Sequence, residues 1–499
     1  MRLFKRVNEP QLAVDRKPCL LVAASDQLVE DDAFLTALDR RSGELEVQPC
    51  PASPLDGEDL SLARAVLSVF DTPARRTELM ALILDERKKR GDGTPVLIIA
   101  LRSEELRELG QWLSERAIAD QLGGVRLILA ANGAGVAEQI EDKLTPIFEP
   151  SVLKMPVHTE SSVSETGHKL FFCISPELRN LVKFVRELAE NKISRLYILG
   201  GPGTGKTSIA YYYWLCRGRG RFITINLNAE STSDKISMKS LLCGHVPGTH
   251  GTVGTREGAF SFARDGVCFL DESHVATGVV MQVLMEVLDG GQYLAYGGTS
   301  KKKLECAVLF ASNRSWERLR SEMHPDEHAR LGAIRVQVPD LVQREEDMIA
   351  VLAHGLYAFT DEWTTWTAPD GITPPAWQAI QECRWHGNLR TLIRVVESAA
   401  VKFASEGPVG SLLDREAIEA GIALWEPEAH ESLEFYPKGA PHEISEEGGA
   451  AGLETLEPHP RGACVPEDSE AGSATTGPQS PPAASASPPE GAMGTPRGS

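Results

Sequence analysis

None of the nine cysteines stands in a CxxC pair, so neither a structural zinc site nor a dithiol redox motif is indicated. Several lie inside apolar runs, such as Cys268 in "VCFL", where a reduced thiol packs as a small hydrophobe. No run approaches the ~20 apolar residues that a membrane-spanning helix needs. The opening "MRLFKRVNEPQ" is too poor in apolar residues for a secretory leader. These absences predict a cytoplasmic chain with no membrane partner. Basic charge is also in deficit: 51 Lys and Arg face 70 Asp and Glu, a formal net charge of −19. Coating nucleic acid requires a basic face, so the chain as a whole is no nonspecific nucleic-acid binder. A local basic patch is still allowed.

What is present is an ordinary globular composition, 42% hydrophobic and 24% charged, in 499 residues that suffice for two or three domains. Over residues 1–148 short apolar runs alternate with stretches of helical period. "PCLLVAAS", "ELEVQPC", "TPVLIIAL" and "VRLILAAN" read as strands. "DDAFLTALDRR", "LARAVLSVF", "RRTELMALILDERKK" and "EELRELGQWLSERAIADQL" read as helices. Such alternation predicts a parallel α/β sheet covered on both faces. Order and size resemble a bacterial receiver domain or another flavodoxin-like domain. A receiver carries a phosphate-accepting Asp after its third strand, and on this reading no apolar strand in mid-domain ends in Asp. A regulatory role and a purely structural or docking role both stay open. Residues 149–169 read as a polar linker, 170–345 as the domain carrying the chemistry, and 346–426 as a helical lid with a terminal helix. Residues 427–499, acidic and then rich in Pro, Ser and Ala, read as a disordered tail, because they cannot bury enough apolar area to offset ordering entropy.

The chemistry centres on "LYILGGPGTGKTS", an apolar strand entering Gly200-x4-Gly205-Lys206-Thr207, followed by the helical "SIAYYYWL". Strand, glycine loop and helix in this order form the P-loop pattern. Backbone N–H groups of Gly200, Gly201, Gly203, Thr204 and Gly205 would curl around phosphate at a helix N-terminus that includes Ser208. Lys206 would reach the β- and γ-phosphates, and the Thr207 hydroxyl would ligate Mg²⁺. Downstream, "GVCFLDES" ends a buried-strand run in two carboxylates. Asp271 suits Mg²⁺, and Glu272 suits the base that polarises an attacking water. ATP with Mg²⁺ is the expected cofactor pair, in a P-loop fold of parallel sheet and helices. A chance glycine turn is the competing reading.

Several further stretches resemble the AAA+ domain of the sigma-54-dependent transcription activators, the bacterial enhancer-binding proteins. They are "FITINLNAE", "LLCGHVPG", "EGAFSFARDGVCFLDE", "VLMEVLDGGQYLAYGGTSKKKLECAVLFASN", "ARLGAIRVQVPDLVQREEDM" and "WHGNLRTLIRVVE". The resemblance implies that Asn226 restrains Glu272 and that Ser312 and Asn313 sense the γ-phosphate. It also implies that Arg330 is an arginine finger reaching a neighbouring copy, and that Arg390 contacts nucleotide from the lid. A surface ion pair with Glu327 is the competing reading for Arg330. The resemblance further implies a ring, hexameric in that family, and a sigma-54 RNA polymerase client.

Three departures qualify it. The family's Gly-Ala-Phe-Thr-Gly-Ala client loop falls on Gly248 to Val253, here Gly-Thr-His-Gly-Thr-Val, so His250 replaces the pressing aromatic. The "GAF" at Gly258 to Phe260 belongs by register to the following helix. His324 stands where the family has its first finger arginine, and no helix-turn-helix follows Trp425, so sequence-specific DNA binding by this chain is not expected. The leading expectation is an ATPase that remodels a sigma-54 polymerase complex and so regulates transcription. The alternatives are a remodeller of another bacterial complex and an ATP-dependent switch or scaffold with little turnover.

Overall fold

Apolar strands alternating with capped helices build two parallel sheets, each of five strands. The computed structural model describes residues 18–426 apart from 51–59, 61, 91–94, 146–149, 157–167, 229–233, 248–253, 255, 277–278, 324–332 and 407–410. In the N-terminal domain the strands are β1 (Cys19–Ala24), β2 (Glu46–Cys50), β3 (Ala63–Val69), β4 (Val96–Leu101) and β5 (Val125–Leu129), in the order β2-β1-β3-β4-β5. Every residue of β4 and β5 is buried, as a sheet covered by helices on both faces requires. Asp31 and Asn132 cap two of the covering helices, Asp32–Arg41 and Gly133–Gln139, by accepting from backbone N–H groups that would otherwise lack partners.

One element differs from expectation. "LARAVLSVF" is not a helix; it supplies β3, paired in parallel with both β1 and β4. Its apolar residues satisfy a helical period, but a strand buried on both faces shows no alternation either, and position in the sheet decides. The order is thereby the flavodoxin-like one. It also overturns the expectation that no mid-domain strand leads to an Asp. Asp71 follows β3 beside the β1/β3 switch point, where a receiver carries its phosphate acceptor. Burial pushes its carboxyl up from 3.8, against the opposing pull of the Thr72 N–H, Arg75, Arg76 and Ser68.

An antiparallel ribbon, β6 (Val152–Pro156) with β7 (His168–Phe172), leads into the second domain. Part of the expected linker is therefore a strand. The second sheet contains β8 (Arg195–Leu199), β9 (Phe222–Asn226), β12 (Val267–Asp271), β15 (Ala307–Ser312) and β16 (Ile334–Gln337), all parallel, in the order β16-β8-β15-β12-β9. Two small hairpins project from it. One pairs β10 (Gly244–His245) with β11 (Arg256–Glu257), and the other pairs β13 (Gln292–Leu294) with β14 (Lys301–Lys303). The lid contains the helices Glu345–Glu362, Pro374–Glu382, Asn388–Glu406 and Arg415–Trp425. No helix among the described residues is long and apolar enough to cross a membrane.

The N-terminal domain is seated on the lid. One apolar core runs from Leu97, Leu113 and Val125 into Leu352, Trp385 and Val395. Helix Leu106–Ile118 lies so close to helix Glu345–Glu362 that a Cβ at Gly110 would stand 1.9 Å from the Ala353 carbonyl oxygen. Ser114 Oγ and His354 Nδ1 are 2.9 Å apart across this seam, and Arg107 donates to the Ala368 carbonyl at 2.8 Å. β5 is an edge strand, and side chains from the other domain cover its open edge. Leu127 N–H donates to Glu346 at 2.8 Å, and the Val125 carbonyl accepts from Arg179.

Glu346 is the buried hub of that seam. Arg126 Nε donates to both its oxygens at 3.0 Å, Arg126 Nη2 donates at 2.7 Å and Lys143 Nζ at 2.9 Å. Burial alone raises the Glu346 carboxyl, but the bonds and charges of Arg126 and Lys143 outweigh it and hold the group below 4.5. A depressed folded-state value means that this stabilisation is present above the unfolded pKa and is lost as pH falls through the folded one. Glu346→Gln leaves two buried cations without an anion and is expected to cost about 3 kcal/mol at neutral pH. Urea titrations at descending pH should show the gap to wild type closing below the ordinary Glu range.

Candidate nucleotide-binding site

The parallel order of the second sheet carries four sequence-distant segments to one edge. Ser312 pairs with Leu199, and Asp271 pairs with Asn226, so the carboxyl ends of β8, β15, β12 and β9 lie side by side. In open parallel sheets the crevice beyond those ends is the ligand-binding edge.

From β8 the chain enters Gly200 to Gly205 and then helix Lys206–Arg217. Gly203 and Gly205 have φ of 72° and 105°, which an L side chain rarely adopts. Space excludes one as well: a Cβ at Gly203 would lie 2.3 Å from the Gly387 carbonyl oxygen, and one at Gly205 would lie 2.4 Å from the Phe171 ring. Lys206 Nζ donates to the Gly200 and Gly201 carbonyls at 2.9 and 3.0 Å, which folds the ammonium over the loop. Burial lowers its pKa, and Asp271 and Glu272 pull the other way. Thr204 is buried and its hydroxyl donates to Gly201 at 2.9 Å, whereas the Thr207 side chain is exposed at the helix N-terminus and Ser208 is half-buried.

Asp271 Oδ1 accepts from the Glu272 N–H at 2.9 Å. Glu272 is held at φ 53°, a left-handed conformation, with its carboxyl half-buried. Burial pushes its pKa above 4.5, the Asp271 charge adds to that, and Lys206 and Arg390 oppose it. His274 Nδ1 lies 3.4 Å from Glu272 Oε2, without hydrogen-bond alignment. Asn226 Oδ1 accepts from the Asn228 N–H at 3.0 Å. Ser312 is fully buried, with its Oγ accepting from Arg314 N–H at 3.0 Å, and Asn313 follows half-buried at the strand end.

The lid closes on the loop through Asn388, which the sequence analysis did not single out. Asn388, at φ 52° and fully buried, donates to the Pro202 carbonyl at 3.1 Å and accepts from the Leu341 N–H at 2.7 Å. This clasp sets Arg390 directly over Gly203, within electrostatic reach of both Lys206 and Glu272. Arg344, also missed, is fully buried and donates to the Thr204 carbonyl at 3.2 Å. Arg394 makes only an exposed pair with Glu397 at 2.6 Å. The structure thus brings the phosphate loop, Asn226, Asp271, Glu272, Ser312, Asn313 and Arg390 to one edge. Arg330, His324 and the tip Gly248 to Val253 lie outside the described residues, as does the tail 427–499.

The base of the tip loop is described. Gly244 and His245 pair with Glu257 and Arg256, and the buried His245 ring bridges Ser240 Oγ at 2.7 Å and the Gly254 carbonyl at 3.0 Å. Tyr296, in the second hairpin, exchanges backbone hydrogen bonds with Gly244 and Val246 at 2.8 and 3.1 Å. The "GAF" falls, as expected, on a helical turn, Ala259–Phe262, with Phe260 buried in the core.

Fold and site together define a P-loop domain of parallel sheet and helical lid. Residues 171–337 match the Sigma-54 interaction domain family, and this segment is a sigma-54 interaction domain. The chain is 30% identical over 232 residues to a Nif-specific regulatory protein of Herbaspirillum seropedicae, covering 46% of this chain and 42% of that protein. It is 31% identical over 242 residues to the regulatory protein AtoC of Escherichia coli strain K12, covering 47% and 50%. The chain therefore spans about half the length of the curated relatives it matches. Among solved structures, NtrX from Brucella abortus in complex with ADP superposes with a TM-score of 0.44 at 19% identity, covering 83% of this chain and 87% of that one.

Proposed function

We propose that this protein hydrolyses ATP at the edge of its second sheet and spends the resulting motion on a sigma-54 RNA polymerase complex, thereby regulating transcription. The observation that carries the reading is the convergence of phosphate loop, acidic pair and lid arginine within a sigma-54 interaction domain. Lys206 leaves the Gly200 and Gly201 carbonyls for the β- and γ-phosphates, a short swing of a flexible side chain. Glu272 polarises the attacking water, Asn226 restrains Glu272, Ser312 and Asn313 sense the γ-phosphate, and Arg390 adds positive charge from the lid.

An exposed hydroxyl at Thr207 and a half-buried carboxylate at Asp271 are hard oxygen donors of the kind that magnesium prefers. Thr207 and Asp271 would hold magnesium there, and it would supply positive charge against the phosphates. Arg330 completes the site from a neighbouring copy, so turnover requires a ring. The tip Gly248 to Val253 is the part that touches the client. A different protein client is favoured by one feature, His250 in place of an aromatic.

The test uses purified full chain, purified sigma-54 and ATP with the Glu272→Gln variant, which should bind ATP and hold the client through gel filtration. Loss of sigma-54 from that complex would overturn the transcription reading while leaving ATP turnover standing. A wild-type chain without turnover would overturn the enzyme reading.

A further inference from the structure

Three residues at the start of helix Glu345–Glu362 face three different parts of the molecule, and all three are almost fully buried. Arg344 grips the phosphate loop at the Thr204 carbonyl. Glu346 grips the N-terminal domain through Arg126, Lys143 and the Leu127 N–H. Asp347 accepts from the Ile174 and Ser175 N–H groups, just after β7, and its own N–H donates to Ser175 Oγ at 3.2 Å. Arg179 closes the circuit by donating to the Cys173 carbonyl at 2.8 Å, to Ser151 Oγ at 3.2 Å and to the Val125 carbonyl on β5.

We propose that Arg344 and Glu346 are positioning residues for the nucleotide site, and that the seated N-terminal domain sets nucleotide affinity by fixing them through Arg126. The inference rests on the nucleotide-site reading above. Its physical basis is stiffness. A helical turn holds residues 344 to 347 in fixed relation, and the backbone of this helix is pinned against Gly110, so it has no slack to absorb a shift at one end. A displacement of β5 must therefore move the Arg344 guanidinium, which takes with it the carbonyl that shapes the loop. Glu346 is a buried charge held by several hydrogen bonds and Arg344 a buried cation bonded to the loop, so the linkage is strong, because breaking either contact leaves a buried charge short of partners. Linkage is reciprocal, so nucleotide binding must also tighten the seam.

Arg126→Met tests this in the full chain, because Lys143 still gives Glu346 a cationic partner. The expected result is a loss of fluorescent-ADP affinity of about five-fold or more, the lower end of ordinary coupling between sites. Faster amide hydrogen exchange in Gly200 to Gly205 should accompany it, even without nucleotide. Arg126→Lys should recover part of both. Arg107→Ala cuts the same seam away from the relay, and is expected to lower stability while leaving ADP affinity unchanged. Added ADP should slow exchange at Leu127 in wild type and not in Arg126→Met. If Arg126→Met does not fold, Lys143→Met removes the weaker of the two cationic partners and is read in the same way. Wild-type affinity and loop exchange in a destabilised Arg126→Met would overturn the relay and make the seam a mere fastening. Failure of wild type itself to bind ADP would instead overturn the nucleotide-site reading, while loop exchange still decides whether the relay exists.

Discussion

Glu272→Gln is expected to reduce ATP turnover by at least about 10²-fold while leaving ATP bound. The amide matches the carboxylate in shape, so the left-handed backbone at φ 53° and the packing around it are undisturbed. What disappears is an acceptor able to take a proton from water. Lys206→Ala should fail earlier, at binding, because it removes the ammonium that now rests over the loop at 2.9 and 3.0 Å from two carbonyls. Steady-state phosphate release and equilibrium nucleotide binding separate the two variants. Turnover in Glu272→Gln equal to that of wild type would mean that another group activates the water.

Gly110→Val is expected to cost more than about 4 kcal/mol, in the range where a single change is diagnostic of its mechanism. The substituted atom would sit 1.9 Å from a backbone oxygen of helix Glu345–Glu362, and backbone cannot step aside as a side-chain tip can. The helices must separate, which uncovers the apolar core shared by the N-terminal domain and the lid. Even Gly110→Ala adds the offending atom and should lower the unfolding midpoint markedly. A glycine replaced on an exposed helix face gives the opposite sign, since Ala favours helix by about 1 kcal/mol. Thermal unfolding that is unchanged in Gly110→Val would show that the seam is not tightly closed in solution.

The phosphate loop was legible because its chemistry is local: glycines, a lysine and a hydroxyl at fixed spacing between strand and helix. The sheet edge was legible in part: "GVCFLDE" is a short apolar run of strand length ending in carboxylates, while "FITIN" and "AVLFAS" were placed by the family resemblance. β3 was misread because a run of Ala, Leu and Val satisfies two periods at once, and with it went the position of Asp71. The relay was invisible for a different reason. Glu346 meets Arg126 across 220 positions of sequence, and a charged residue read alone defaults to solvent. One signal was available: Arg126 interrupts "VRLIL", a strand otherwise apolar throughout, and a cation in such a place requires an anion from elsewhere. Asn388 and Gly110 carried no comparable mark. Their importance comes from what packs against them.

The hairpin beneath the tip loop is tied to its neighbour at Tyr296, and that neighbour runs on into β15, whose far end is Ser312 beside the phosphate loop. A projection rooted in this way at two separate points cannot flex about a single hinge. Any movement on nucleotide binding is expected to carry it as one rigid spur, so two spectroscopic labels, one on each hairpin, should keep a constant separation when ATP or ADP is added.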